Sequence, residues 1–132
     1  MLFNLELIIS GIICGIILLQ TSVIAPNVFK YLDQNQTRDL LRAIFPKFFL
    51  FIVLLASLSF LIGILNNVKI DIQTIIALLT IFLSILCYTI IPSTNEAKDK
   101  KNQKKFKFLH NVSVISTVII LLINLSLVFF NI

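Results

Sequence analysis

One imidazole and a few hydroxyls and amides are the groups in this chain best able to bind a ligand or carry a proton. His110, the single histidine, sits in the stretch FKFLHNVSVISTVIILLIN, and Ser113, Thr117 and Asn124 follow it at spacings of 3, 7 and 14. At about 100° per residue those four share one face of a helix, whereas Ser116 and Ser126 do not join them. No charged residue occurs between Phe108 and Phe130, a length that crosses a bilayer core at about 1.5 Å per residue. Lipid cannot satisfy polar side chains, so the stripe is expected to face protein. Two readings stay open: interhelical hydrogen bonding with His110 bonded to a neighbouring carbonyl at the interface, or an imidazole that titrates or binds something.

Other reactive groups offer less. Cys14 and Cys87 lie inside apolar runs at no zinc or redox spacing and read as buried thiols. There is no Ser–His–acid set, no metal-ligand spacing and no glycine-rich phosphate loop, so no catalytic or metal residue is assigned and the chain does not read as an enzyme. Glu6 and Asp71 are carboxylates at the edges of apolar runs.

The elements that must position these groups are four apolar runs, about residues 5–24, 48–65, 72–91 and 108–130. With 58% hydrophobic and 13% charged residues over 132 positions, the chain is expected to be one transmembrane domain rather than a soluble one. The runs are continuous and lack alternation, which excludes strands. The expected fold is all-α: an integral membrane four-helix bundle, up-down antiparallel, with an amphipathic helical extension in the first link. The first run lacks a basic n-region and its SVIAP exit is a poor cleavage site, so it is expected to stay in the mature protein.

Gly11 and Gly15 form a G-x-x-x-G spacing continued by Ser22, a close-packing seam expected within the bundle, with a homodimer face as the alternative. In the link 26–47, Phe29, Leu32, Leu40, Ala43 and Ile44 fall on one side of a helix, which suits the headgroup level. The DQNQ at 33–36 is the expected turn, with Asn35 or Thr37 as a cap, a second helix starting near Thr37 and a kink at Pro46. Asp33, Arg38, Asp39 and Arg42 are expected to face solvent. Ala56, Ser59 and Gly63 repeat a small-residue spacing on the second run, and Ala77, Thr80, Ser84 and Tyr88 share a face of the third. The third run is expected to end at Pro92, before a polar, mobile loop.

Cations set the orientation. Residues 25–47 carry Lys30, Arg38, Arg42 and Lys47; residues 92–107 carry Lys98, Lys100, Lys101, Lys104, Lys105 and Lys107; the link 66–71 carries Lys69 alone. By the positive-inside rule the first and third links face the cytoplasm of a bacterial inner (plasma) membrane and both termini face out. Thr21, Pro26, Phe29, Pro46, Tyr88, Pro92, His110, Ser113 and Thr117 are then expected to cluster toward the inner leaflet, as a ligand site or a structural set, with the outer half nearly featureless.

The segments GIILLQTSVIAPNVFKYL, LLRAIFPKFF, IPSTNEAKD and FKFLHNVS, in that order, resemble the small membrane family of unknown function typified by transmembrane protein 205. The matching positions are Ala25, Pro26, Phe29, Phe45, Pro46, Pro92, Asn95, Asp99, Phe106, His110 and Ser113; where that family often has an asparagine seven residues after the histidine, this chain has Thr117. The resemblance implies a four-helix membrane protein and no established reaction. The leading expectation is a non-enzymatic membrane protein that binds a small ligand, lipid or protein partner in an inner-leaflet pocket near His110. One alternative is a haem- or metal-binding redox protein, which would need His110 from two copies because a bundle haem commonly takes two axial ligands. Another is a four-span drug or cation exporter that would rely on Glu6. No nucleic-acid partner is expected, because the cations lie between apolar runs.

Overall fold

Each apolar run becomes a helix that outlasts it. The computed structural model describes residues 2–66 and 70–130. In it α1 spans Leu2–Leu19, a π-helical turn spans Gln20–Ile24, and α2 (Ala25–Tyr31) continues without a break. The remaining helices are α3 (Gln34–Asn66), α4 (Ile72–Asp99) and α5 (Gln103–Phe130). Residues 67–69 of the expected outer link, Lys69 among them, lie outside the described residues, as does Met1. Four stretches are long and apolar enough to cross a membrane: Asn4–Tyr31, Gln34–Asn66, Ile72–Asp99 and Gln103–Phe130. Between 22% and 33% of their most apolar windows is buried in the bundle, so most of the apolar surface must face lipid. The chain is an integral membrane protein with an all-α four-helix fold.

The helices pack as a square: α1 lies against α3 and α5, and α4 closes the other side against the same two. Ile9, Ile13 and Ile17 from α1, Ile52 and Ala56 from α3 and Ile120 from α5 form its apolar centre. The α2–α3 and α4–α5 turns share one end, the basic end; the start of α1 and the end of α5 share the other.

Local chemistry explains the helix boundaries. Asp33 caps α3: its Oδ1 accepts from the Gln36 N–H at 2.8 Å while Gln36 Oε1 accepts from the Asp33 N–H at 3.3 Å, a reciprocal capping box. The cap is therefore Asp33, not Asn35 or Thr37, and α3 begins three residues before Thr37. Pro26 has no N–H for the Ser22 carbonyl and its ring crowds that turn. The chain widens there, with the Ala25 N–H bonding Gln20 O across five residues.

Pro92 does not end its helix. It removes one donor, and the neighbouring turns hold: Thr89 Oγ1 donates to Leu86 O at 2.9 Å and Thr94 Oγ1 to Ile90 O at 2.8 Å. The expected mobile loop is thus two more turns of α4 and a tight corner. At that corner Lys101 takes a left-handed φ of 54°, with the Asn102 N–H bonding Ala97 O and the Lys101 N–H bonding Lys98 O. This is a Schellman motif with lysine in the position glycine usually fills. Asn102 Oδ1 then accepts from the Lys105 N–H at 3.2 Å and starts α5.

Candidate functional site

At the basic end, α3 and α4 are clasped by Arg42. Its Nη2 donates to Asp99 Oδ1 at 2.6 Å and to Asn95 O at 3.2 Å. Arg42 was expected in solvent, but the extra turns of α4 bring two acceptors to it. Beside it Lys98 lies over the Phe106 ring, 4.7 Å from the centroid, and Phe106 stacks on His110 at 5.7 Å with the planes 11° apart. The His110 ring is therefore part of an exposed cation–aromatic stack at the start of α5, not the hub of an enclosed pocket.

The other expected site residues separate into two groups. Thr21, Pro26, Phe29, Tyr88 and Pro92 are exposed, and Pro46 is half-buried inside α3. Thr21 spends its hydroxyl on Ile17 O at 2.9 Å. Ser113 and Thr117 do meet something: the Cys87 thiol, fully buried, points at Ser113 O at 3.9 Å and sits among the hydroxyls of Ser113, Ser116 and Thr117. Ser116, which helical spacing set aside, is the buried member of that group because α4 reaches across its side of α5.

A cleft of about 290 Å³ opens on the α1–α3 side, lined by Ile16, Leu19, Gln20, Ile24, Ile44, Lys47 and Phe48. Its walls are apolar except at Gln20 and Lys47. Gln20 belongs to the π-helical turn and is 5% exposed, and among the described residues its Nε2 has no hydrogen-bond partner. A buried amide donor in an apolar wall costs about 1–3 kcal/mol unless something accepts from it. The signal available in the sequence was Gln20 itself, an amide inside an apolar run and a few residues before a proline. His110 does not line this cleft.

Polar groups also occupy the interior. Asn124 Nδ2 donates to Thr80 Oγ1 at 2.9 Å and to Ile120 O at 2.9 Å, tying α5 to α4. Toward the termini, Glu6, Ser10, Ser59, Gln73 and Thr74 are all buried. That half, expected to be nearly featureless, holds the one buried carboxylate among the described residues. Gly63 makes the gathering possible. A Cβ there would overlap Thr74 Oγ1 and lie 2.7 Å from Glu6 Oε1. Gly11 and Gly15, the expected internal seam, face outward with nothing within 4 Å of a Cβ placed on either. The seam reading fails because Ile9, Ile13 and Ile17 form the inward face of α1.

A family model described as "Domain of unknown function (DUF4149)" matches residues 8–103. The match takes in the cleft and the Arg42 clasp; Glu6 lies before it, and His110 and Asn124 after it. No curated protein and no solved structure matches the chain.

Proposed function

The chain belongs to the DUF4149 family, a domain of unknown function, and from that premise we propose that it binds an amphiphile, an acyl chain with an anionic head, in the cleft between α1 and α3. The carrying observation is the Gln20 amide, buried without an acceptor beside Lys47 in an otherwise apolar wall. An ammonium and an amide N–H suit a phosphate or carboxylate head, and Ile16, Leu19, Ile24, Ile44 and Phe48 suit its chain. The proposal places the protein in a bacterial inner membrane, residues 25–47 and 92–107 in the cytoplasm and the termini outside. Ten of the eleven cations lie in those two links, which supports that orientation and puts Lys47 at the anionic inner leaflet. The similarity to the family typified by transmembrane protein 205 is part of the same reading; three of its four segments fall within residues 8–103.

Native mass spectrometry of the protein extracted with its lipids tests the cleft. A bound anionic phospholipid is expected, lost in Gln20→Leu and reduced in Lys47→Ala. Retention in both variants together with loss in His110→Ala would move the site to the imidazole and refute the cleft. Membrane-impermeant labelling of cysteines placed at Asn66 and Lys104 is expected from opposite faces; labelling from one face overturns the orientation. A second reading has its own observation. Gly11 and Gly15 present an open, lipid-facing surface, which favours them as a homodimer face. Gly15→Ile is expected to abolish cross-linking through a cysteine at Ile12, and cross-linking that persists refutes it.

A further inference from the structure

The Glu6 carboxylate is 1% exposed and two residues inside the first spanning segment. Among the described residues its Oε1 has no hydrogen-bond partner and no cation pairs with it. It points into the gap left by Gly63 on α3. Thr74 Oγ1 of α4 enters the same gap from the other side. The Thr74 hydroxyl donates its proton to Asp71 Oδ1 at 2.7 Å, which leaves its lone pairs free to accept or coordinate. One turn deeper, Ser10 on α1 and Ser59 on α3 are buried too. Three helices thus bring oxygens toward one small space, with the Glu6 carboxylate buried in it and the Asp71 carboxylate at its edge, held by the Thr74 hydroxyl.

A bare carboxylate in such a place is strongly unfavourable, and the same position with its charge cancelled is not. We propose that Glu6, Thr74 and the Gly63 gap form a binding site for one monovalent cation, a proton or a sodium ion, at the terminal end of the bundle. The donor set selects the valence. Asp71 Oδ1 is engaged by the Thr74 N–H and hydroxyl, which leaves Glu6 as the carboxylate that meets the ion, and among the described residues no group of three or more His, Cys, Asp or Glu is placed to hold a divalent metal. Asp71, at the N-cap of α4, is the titratable group acting on Glu6 from the packed helices; α3 and α5 present none among the described residues.

The test is the melting temperature of the purified full chain across pH 5 to 9, in choline and in sodium buffers, beside Glu6→Gln. Removing the cation as pH rises in choline strands the charge, so wild type is expected to lose roughly 5 °C while Glu6→Gln stays level. Sodium that restores the alkaline melting point identifies an ion site shared with protons; failure of sodium to restore it identifies the proton alone. Wild type and Glu6→Gln curves that run parallel overturn the proposal. So does a wild-type melting point that falls instead toward acid, the sign of a fixed ion pair. Should Glu6→Gln fail to fold, a hydrophobic carbodiimide supplies the second measurement. The protonated acid adds across the reagent's C=N bond, its oxygen to carbon and its proton to nitrogen. Modification of the Glu6 peptide is expected to fall several-fold as pH rises or sodium is added, and labelling indifferent to both overturns the site.

Discussion

Gly63→Ala should destabilise this bundle, although alanine is the better helix former. The new Cβ would overlap Thr74 Oγ1 and stand 3.2 Å from Thr74 Cβ and 2.7 Å from Glu6 Oε1. The Thr74 hydroxyl cannot swing away cheaply. It donates to Asp71 Oδ1 at 2.7 Å, and the Thr74 N–H bonds the same oxygen at 2.9 Å. Losing a hydrogen bond to a charged acceptor costs about 1.5–3 kcal/mol, and overpacking adds about 1–3 kcal/mol. Against this, replacing a mid-helix glycine by alanine returns about 1 kcal/mol. The balance is a loss of about 1.5–5 kcal/mol. Gly11→Ala and Gly15→Ala carry only the favourable term, since nothing lies within 4 Å of either Cβ, and are expected to gain up to about 1 kcal/mol. Reversible unfolding in mixed micelles, titrated with a denaturing detergent, measures all three. A Gly63→Ala variant as stable as wild type would refute the close approach of α1, α3 and α4. Equal effects at Gly63 and Gly15 would refute the assignment of inner and outer faces on which the fold rests.

Two further tests use the same unfolding assay. A double-mutant cycle on Thr80→Val and Asn124→Leu is expected to give a coupling of about 0.6–1.7 kcal/mol, the range of interhelical hydrogen bonds in membranes; strict additivity would mean that the 2.9 Å contact contributes nothing. Lys101→Gly is expected to stabilise by about 1 kcal/mol, because a Cβ is unfavourable at a φ of 54°; a loss of stability would show that the lysine side chain matters more than the backbone.

The helices were legible in the sequence because each apolar run is about long enough to cross a bilayer core and nothing but a helix satisfies that much backbone in lipid. The continuation past Pro26 was legible too, as the helical extension expected in the first link, whereas α3 runs as one helix through Pro46, where a kink was expected. Pro92 was misread because a proline forbids one hydrogen bond rather than a helix, and the threonines flanking it hold the neighbouring turns. The polar interior was half legible. Asn124 and Thr80 were each placed on a polar face of their own helix, yet no spacing rule says which residue of another helix they meet. His110 drew weight by being singular, but a residue at the first turns of a helix answers to its local neighbours, here Phe106 and Lys98. Glu6 was placed at a membrane edge by counting along one helix. Its burial depends on Gly63, 57 residues away, and only packing reveals that.

The widened turn before Pro26 has an evolutionary consequence. A π-turn is a single-residue insertion held inside an otherwise regular rod. Deleting Ser22 should let the rod close up, shortening it by about 1.5 Å while Val28 keeps its inward heading. The same deletion at Ile12 would swing everything beyond it by about 100° and pull Ile13 and Ile17 out of the centre. Length variation among related chains should therefore gather within residues 20–24, beside the cleft, and be absent one turn away.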